Sequence, residues 1–337
     1  MELHLRIDKD SIRNVLIILP DMIGLNILCM PALRQIINCC QDKNIRIIGF
    51  NNCSEIFTDE NLPNLFLIDN KNIIDEMSAY FKIHETFDIV FDFLSSRESG
   101  KILIDSGMSY RVGWDYPESN LYNVPVKFPT HDRSTIYDYL EYLAAIGKEY
   151  SYGTPQLKSK DETRDQGKKW LKENGLLSER LIIFGVGGGN NKKRWPLENY
   201  FKLRNELMRH KGTDTLFIIG PNELELSDEI RKNDIKAFIA CNLPLQTLKG
   251  ILSHAFCTIS NDYAVMHMSA ALGISTIGVF LASDPIQWFP YQRPSIYVIG
   301  KELACRPCYR EDCADWQCND PSLLGKVMNG FKTIWAT

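Results

Sequence analysis

The sequence predicts an α/β protein of two doubly wound halves, on three observations: its length, the alternation of apolar runs with amphipathic stretches, and a polar break near its middle. At 337 residues the chain exceeds what a single hydrophobic core ordinarily spans. Short continuous apolar runs read as strands covered on both faces, and most are followed by residues at helical spacing, the mark of a parallel sheet. Residues 151–164 mix Gly, Pro, Lys, Ser and Asp with few large apolar side chains, which places a linker between domains 1–155 and 156–337.

In chain order, residues 15–19 (VLIIL) form the first strand and stop at Pro20. Apolar spacing over 27–37 gives a helix with Pro31 near its first turn, and 46–50 gives the second strand. Strands follow at 65–68 and 88–93, with a helix at 74–81 between them. Residues 116–129, rich in Pro, Asn and Tyr and without a period, read as an irregular wall or loop. An amphipathic helix at 136–146 is closed by Gly147. In the second half a helix at 167–174 ends at Gly175. Strands at 181–186, 215–219, 237–240, 255–259 and 275–280 then alternate with helices at 197–209, 224–231, 245–252 and 265–272.

A hydrophobic share of 45% and a charged share of 24% are those of a folded globular chain. A net charge of −4 without a basic stripe gives no sign of a nucleic-acid partner. The charged residues ahead of the first apolar run are in the wrong order for a secretory signal, and no apolar stretch approaches the ~20 residues that span a bilayer. The expectation is a cytoplasmic protein, peripheral at the inner membrane if its acceptor is a lipid. The ten cysteines then read as buried thiols or metal ligands rather than a disulfide scaffold. Cys29, Cys39, Cys40, Cys53, Cys241 and Cys257 sit in apolar contexts and read as core packing.

Ligands of open α/β sheets lie beyond the carboxyl ends of the strands, so the strand-end segments are where chemistry is expected. Residues 260–272 (SNDYAVMHMSAAL) place Asp262 and His267 at such a junction, and the helix opening there favours an anion, although Asn-Asp is also a common cap. Residues 185–196 (GVGGGNNKKRWP) form a turn whose glycines allow close backbone approach. The turn lacks the Lys-Ser/Thr of a P-loop and the GxGxxG spacing, which argues against a nicotinamide-dependent enzyme. Gly188, Asn190, Lys193 and Arg194 are candidate diphosphate partners, the alternative being a solvated basic loop ahead of a packed Trp195-Pro196 helix start. Glu223, in GPNE, either accepts from both ribose hydroxyls of a nucleotide or serves as a first-turn helix carboxylate. Ser283, Asp284 and nearby aromatics lie at another strand end, where Asp284-Pro285 is equally a helix-start signal.

These segments occur in one order: Lys-Arg-Trp-Pro from Lys193, Gly-Pro-x-Glu from Gly220, Asn-Asp from Asn261 followed by Met-His and Ala-Ala-Leu-Gly, and Asp-Pro-x-x-Trp-x-Pro-Tyr from Asp284. Together they resemble glycosyltransferase family 9, the bacterial heptosyltransferase group. Gly24, the Pro31-Ala32-Leu33 run, residues 87–93, Arg111-Val112-Gly113 and Gly147 extend the similarity through the first half. The resemblance implies a GT-B fold, two Rossmann-like domains whose parallel sheets face a central cleft, with the acceptor on 1–155 and the nucleotide sugar on 156–337. It implies an inverting glycosyltransferase that moves a sugar, heptose from ADP-heptose, onto a saccharide, lipopolysaccharide-core, protein or small-molecule acceptor. By the same resemblance Lys193 meets the donor phosphates, Glu223 the ribose and Asp262 the sugar hydroxyls, while the backbone from Tyr263 and Ala264 to His267 cradles the diphosphate. No catalytic metal is required, because Lys193, Arg194 and the helix N-terminus can neutralise the departing diphosphate.

Three departures from the family pattern bear on activity. The family places Asp after the glycine at position 24, as the base that deprotonates the acceptor, whereas Leu25 stands here. Asn26 cannot take up a proton near neutrality, which leaves Asp21 and Asp92 as candidate bases or as turn caps. Tyr263-Ala264-Val265 stands where the family has Thr-Gly-Pro and narrows the phosphate pocket, and the turn 187–191 lacks the family's Ser or Thr. The rival reading is therefore a catalytically impaired relative acting as a binding or assembly subunit. Finally, Cys305, Cys308, Cys313 and Cys318 space as C-x2-C-x4-C-x4-C, either a structural zinc or iron site within 305–318 or a reduced or disulfide-linked loop.

Overall fold

Each half of the chain builds one six-stranded, wholly parallel sheet. The computed structural model describes residues 7–8, 10–69, 71–83, 87–116, 120–130, 132–189, 191–210, 212–291, 295–308, 313 and 315–336. Two units separate cleanly, Met1–Pro155 and Gln156–Thr337.

In the first unit the strands are β1 (Asn14–Ile18), β2 (Asn44–Phe50), β3 (Leu65–Ile68), β4 (Ile89–Asp92), β5 (Tyr110–Trp114) and β6 (Val124–Val126), in the spatial order β3-β2-β1-β4-β5-β6. The central strands β1 and β4 are buried along nearly their whole length, which explains their unbroken apolar runs. Helices α1 (Ile23–Cys39), α2 (Ile73–Ile83), α3 (Arg97–Asp105) and α4 (Thr135–Ala145) complete the unit. Pro31 departs from its expected place near a first turn: α1 starts four residues earlier than the periodicity indicated, at Ile23, so Pro31 lies inside the helix and denies the Ile27 carbonyl its helical partner. The segment 116–129 also departs from expectation, since it contains β6. This edge strand, VPV, tolerates Pro125 because an edge position need not donate on both sides. Gly147 closes α4 with φ of +66°.

The second unit contains α5 (Asp161–Glu173), α6 (Leu197–Leu207), α7 (Glu225–Asn233), α8 (Leu245–Leu252), α9 (Ala264–Ala271), α10 (Pro285–Trp288) and α11 (Ser322–Trp335). Its strands are β7 (Arg180–Gly185), β8 (Thr213–Ile219), β9 (Phe238–Cys241), β10 (Ala255–Asn261), β11 (Ser275–Phe280) and β12 (Ser295–Ile299). Their spatial order, β9-β8-β7-β10-β11-β12, repeats that of the first unit and is the doubly wound 3-2-1-4-5-6 arrangement. Strand order reverses between β7 and β10, where Ser260 stands beside Gly185. The core behind this point is aromatic and aliphatic, with Phe184, Trp195, Tyr200 and Phe217 all buried.

Candidate active site

The switch point between β7 and β10 gathers most of the residues expected at the donor site. Asn261, the last residue of β10, is fully buried and uses its whole amide: Oδ1 accepts from the Trp195 N–H and the Tyr200 hydroxyl, both at 3.0 Å. Its Nδ2 donates to the carbonyls of Val186 and Gly187, each at 2.9 Å. Asn261 thus staples the Gly-rich turn to the end of β10, a role its place in the Asn-Asp pair hinted at without revealing.

Asp262 follows and meets Lys193, with Nζ 3.0 Å from Oδ2. His267, one turn into α9, brings Nε2 to 3.6 Å from Asp262 Oδ1, while its Nδ1 is buried without a partner. Burial alone would push the Asp262 carboxyl up, but His267 and the Lys193 ammonium outweigh it and hold the group at about 2. The Lys193 ammonium also lies 6.0 Å from the centre of the Trp288 ring. Here α9 begins at Ala264 with Tyr263 as its N-cap and no side-chain cap; the Met266 N–H turns back to the Tyr263 carbonyl at 3.0 Å, which leaves the N–H groups of Ala264 and Val265 to face an anion.

Glu223 lies in a second cluster, on the loop after β8, and is 1% exposed. Its Oε1 accepts from the N–H groups of Gly188 at 2.8 Å and Gly189 at 3.0 Å, and from Arg194 Nη2 at 2.9 Å. These contacts show what three of the expected donor residues bind within the chain. The Gly188 N–H serves Glu223, an internal carboxylate, rather than standing free for phosphate. Arg194, which also bonds Glu225 at 3.1 Å, braces Glu223 instead of joining Lys193. Glu223 has Oε1 committed to these donors and Oε2 buried without a partner. Asn190, a further candidate, lies outside the described residues. Gly187 must be glycine: a Cβ there would collide with Glu223 Oε2. Asp284 proves to be a cap, its Oδ1 accepting from the Ile286 N–H at 2.8 Å ahead of α10.

In the first unit the two candidate bases differ. Asp92, the last residue of β4, is 0% exposed. It accepts from the Ser95 N–H at 3.0 Å, the Ser99 hydroxyl at 2.6 Å and the Tyr122 hydroxyl at 2.7 Å. Burial pushes this carboxyl up, and its bonds bind α3 and residue 122 to β4, which corrects its reading as a base. Asp21, half-buried after β1, keeps its side chain on a cavity of about 470 Å³ lined also by Lys71, Asp75, Leu94, Ser96 and Glu98. Its backbone carbonyl is fixed by the Asn52 amide at 2.9 Å.

The four clustered cysteines line one cavity of about 200 Å³ together with Lys192, Arg306 and Trp316. Among the described residues, however, no group of three or more His, Cys, Asp or Glu could hold a metal ion. A four-thiolate metal site at Cys305, Cys308, Cys313 and Cys318, one of the two readings their spacing allows, thus finds no support among the described residues. All ten cysteines are free thiols.

Comparison with known proteins places these features in a family. The sequence model of glycosyltransferase family 9 (heptosyltransferase) matches residues 82–317. Lipooligosaccharide heptosyltransferase 2 of Campylobacter jejuni is 30% identical over 149 residues, which cover 41% of this chain and 46% of the relative, so that the match spans about half the relative's length. Among solved structures, the family 9 glycosyl transferase of Veillonella parvula superposes with a TM-score of 0.81 at 19% identity, covering 96% of this chain and 97% of that one. The ADP-heptose lipopolysaccharide heptosyltransferase II of Escherichia coli gives 0.76 at 16% identity, covering 95% and 98%. At these identities the superpositions establish the fold.

Proposed function

The chain belongs to glycosyltransferase family 9, and from that premise we propose that it transfers heptose from ADP-heptose to a saccharide of the lipopolysaccharide core, with inversion at the anomeric carbon. The observation that carries this reading is the 3.0 Å pair of Lys193 and Asp262 at the uncapped start of α9. A nucleoside diphosphate there meets an ammonium and a helix amino end, both suited to the charge that grows on a departing diphosphate. Asp262, ionised far below neutrality, is then the acceptor for donor-sugar hydroxyls, and Glu223 Oε2 for a ribose hydroxyl. The acceptor oxygen attacks the anomeric carbon, the bond from that carbon to the diphosphate breaks, and the acceptor's proton passes to Asp21.

The acceptor belongs on this reading to unit Met1–Pro155 and the donor to unit Gln156–Thr337. No helix of the described residues is long and apolar enough to cross a membrane, which suits a cytoplasmic enzyme that visits the inner membrane for its acceptor. A second reading, a catalytically impaired binding subunit, is favoured by Leu25 in place of the family base and by the bulk of Tyr263.

Calorimetric titration with ADP, UDP and GDP, coupled to an assay of ADP release from ADP-heptose with acceptor, separates the readings. Preference for ADP together with acceptor-dependent release supports the transferase. Binding without release, or binding of no nucleotide, supports the impaired relative and refutes the transferase.

A further inference from the structure

Two buried polar atoms of the Glu223–Arg194 pair have no partner, Glu223 Oε2 and Arg194 Nε, and Oε2 lies beside the Tyr263 ring. One accepts and the other is an N–H donor, so a ligand carrying hydroxyl groups would complement both. The side chain beside Oε2 has no job in capping its helix: Tyr263 is extended at φ −157°, and no side-chain cap bond is made.

The ring instead reaches across the carboxyl ends of three neighbouring strands. It starts after β10, passes the turn after β7, and ends at β8. Glycine stands at three places beside it. A Cβ on Gly187 would lie 3.1 Å from Tyr263 Cε1, one on Gly189 3.8 Å from Cε2, and one on Gly220 3.1 Å from the hydroxyl. Position 220 also brings the ring together with the orphan oxygen, since the same Gly220 Cβ would stand 3.4 Å from Glu223 Oε2. Burial and then the Glu223 carboxylate push the phenol up, with Arg194 opposing, as their closeness requires.

The geometry points to Tyr263 as a specificity-determining plug, a ring seated in the ribose pocket of the donor site and displaced by the nucleoside of a nucleoside diphosphate. This rests on the donor reading above and deepens it, by naming what the site must give up before ribose can reach Glu223. Only ligands able to replace the ring's packing and satisfy Oε2 and Nε enter, and the apparent affinity of all of them is lowered by the population in which the ring is seated.

The test is calorimetric titration of ADP into the full chain as wild type, Tyr263→Ala and Tyr263→Phe. Tyr263→Ala is expected to bind ADP roughly tenfold more tightly than wild type, while Tyr263→Phe, which keeps the ring, stays within about twofold of it. A gain of affinity cannot come from a damaged fold, which would weaken binding. If Tyr263→Ala binds no more tightly than a wild type that binds ADP, or if Tyr263→Phe gains as much as Tyr263→Ala, the plug is overturned and the donor reading stands. Binding by Tyr263→Ala but not by wild type upholds both. Binding by neither overturns the donor reading and the plug with it.

Discussion

The two units share one strand order but use the carboxylate at the end of their fourth strand in opposite ways. Asp92 closes β4 among neutral donors, the hydroxyls of Ser99 and Tyr122 and the Ser95 N–H, and burial pushes its carboxyl up. Asp262 stands one residue beyond β10, almost as deeply buried, yet Lys193 and His267 override that burial and hold it at about 2. The topological place is the same. The charge of the partners decides whether a buried carboxylate becomes scaffold or site.

The contrast can be broken first at the cation. Lys193→Met keeps the length of the side chain but removes the ammonium, and is expected to lower kcat for ADP release by roughly 10²–10³-fold. A kcat within a few-fold of wild type would place the leaving-group charge elsewhere. Next in size is Gly187→Ala, whose methyl group displaces Glu223 from its three donors. ADP affinity should fall tenfold or more by calorimetry, whereas unchanged affinity would detach Glu223 from the nucleotide.

Replacing each carboxylate by its amide sharpens the comparison in stability. Asp262 is ionised more readily folded than unfolded, so its contribution is full above the ordinary aspartate range near 4 and is lost as pH falls toward about 2. Asp262→Asn should therefore cost on the order of 2 kcal/mol in urea unfolding at pH 7, with the difference closing near pH 3 and below. Asp92 has the opposite sign: its raised carboxyl makes ionisation a cost at neutral pH, so Asp92→Asn should change stability by less than about 1 kcal/mol. Equal losses for both variants at pH 7 would erase the distinction. The smallest effect belongs to Asp284→Ala, which should cost about 1 kcal/mol through its lost cap and leave ADP affinity unchanged.

Much of the fold is legible where apolar runs or helical spacing mark an element: 275–280 is the buried strand β11, 245–252 the helix α8, and 65–68 the edge strand β3, whose apolar run persists although Phe66 and Leu67 are exposed. Several other elements lack such a signature, although α11, absent from the sequence reading, does carry apolar residues at helical spacing, with Leu323, Val327, Phe331 and Ile334 buried. Helix α3 opens with Arg97-Glu98 and carries Gly100, β5 and β6 are short and contain Gly113 or Pro125, and β12 lies at a sheet edge with Tyr297 exposed. Lys193, Glu223 and Asp262 could be singled out because each follows a strand. Their mutual pairing could not, since hydrogen bonds between Glu223 and Gly188, 35 positions apart, are set by packing of β7 against β8 rather than by local pattern. The cysteine spacing left two readings open for the same reason: it constrains distance along the chain and leaves side-chain direction free.

Crystals soaked with ADP test most directly whether the second unit's switch point is a nucleotide site. Diphosphate density is expected between Lys193 Nζ and the N–H groups of Ala264 and Val265 at the start of α9, with the ribose beside Glu223 and the Tyr263 ring moved away from Gly187, Gly189 and Gly220. Diphosphate bound elsewhere, with the Lys193–Asp262 pair unvisited, would contradict this expectation.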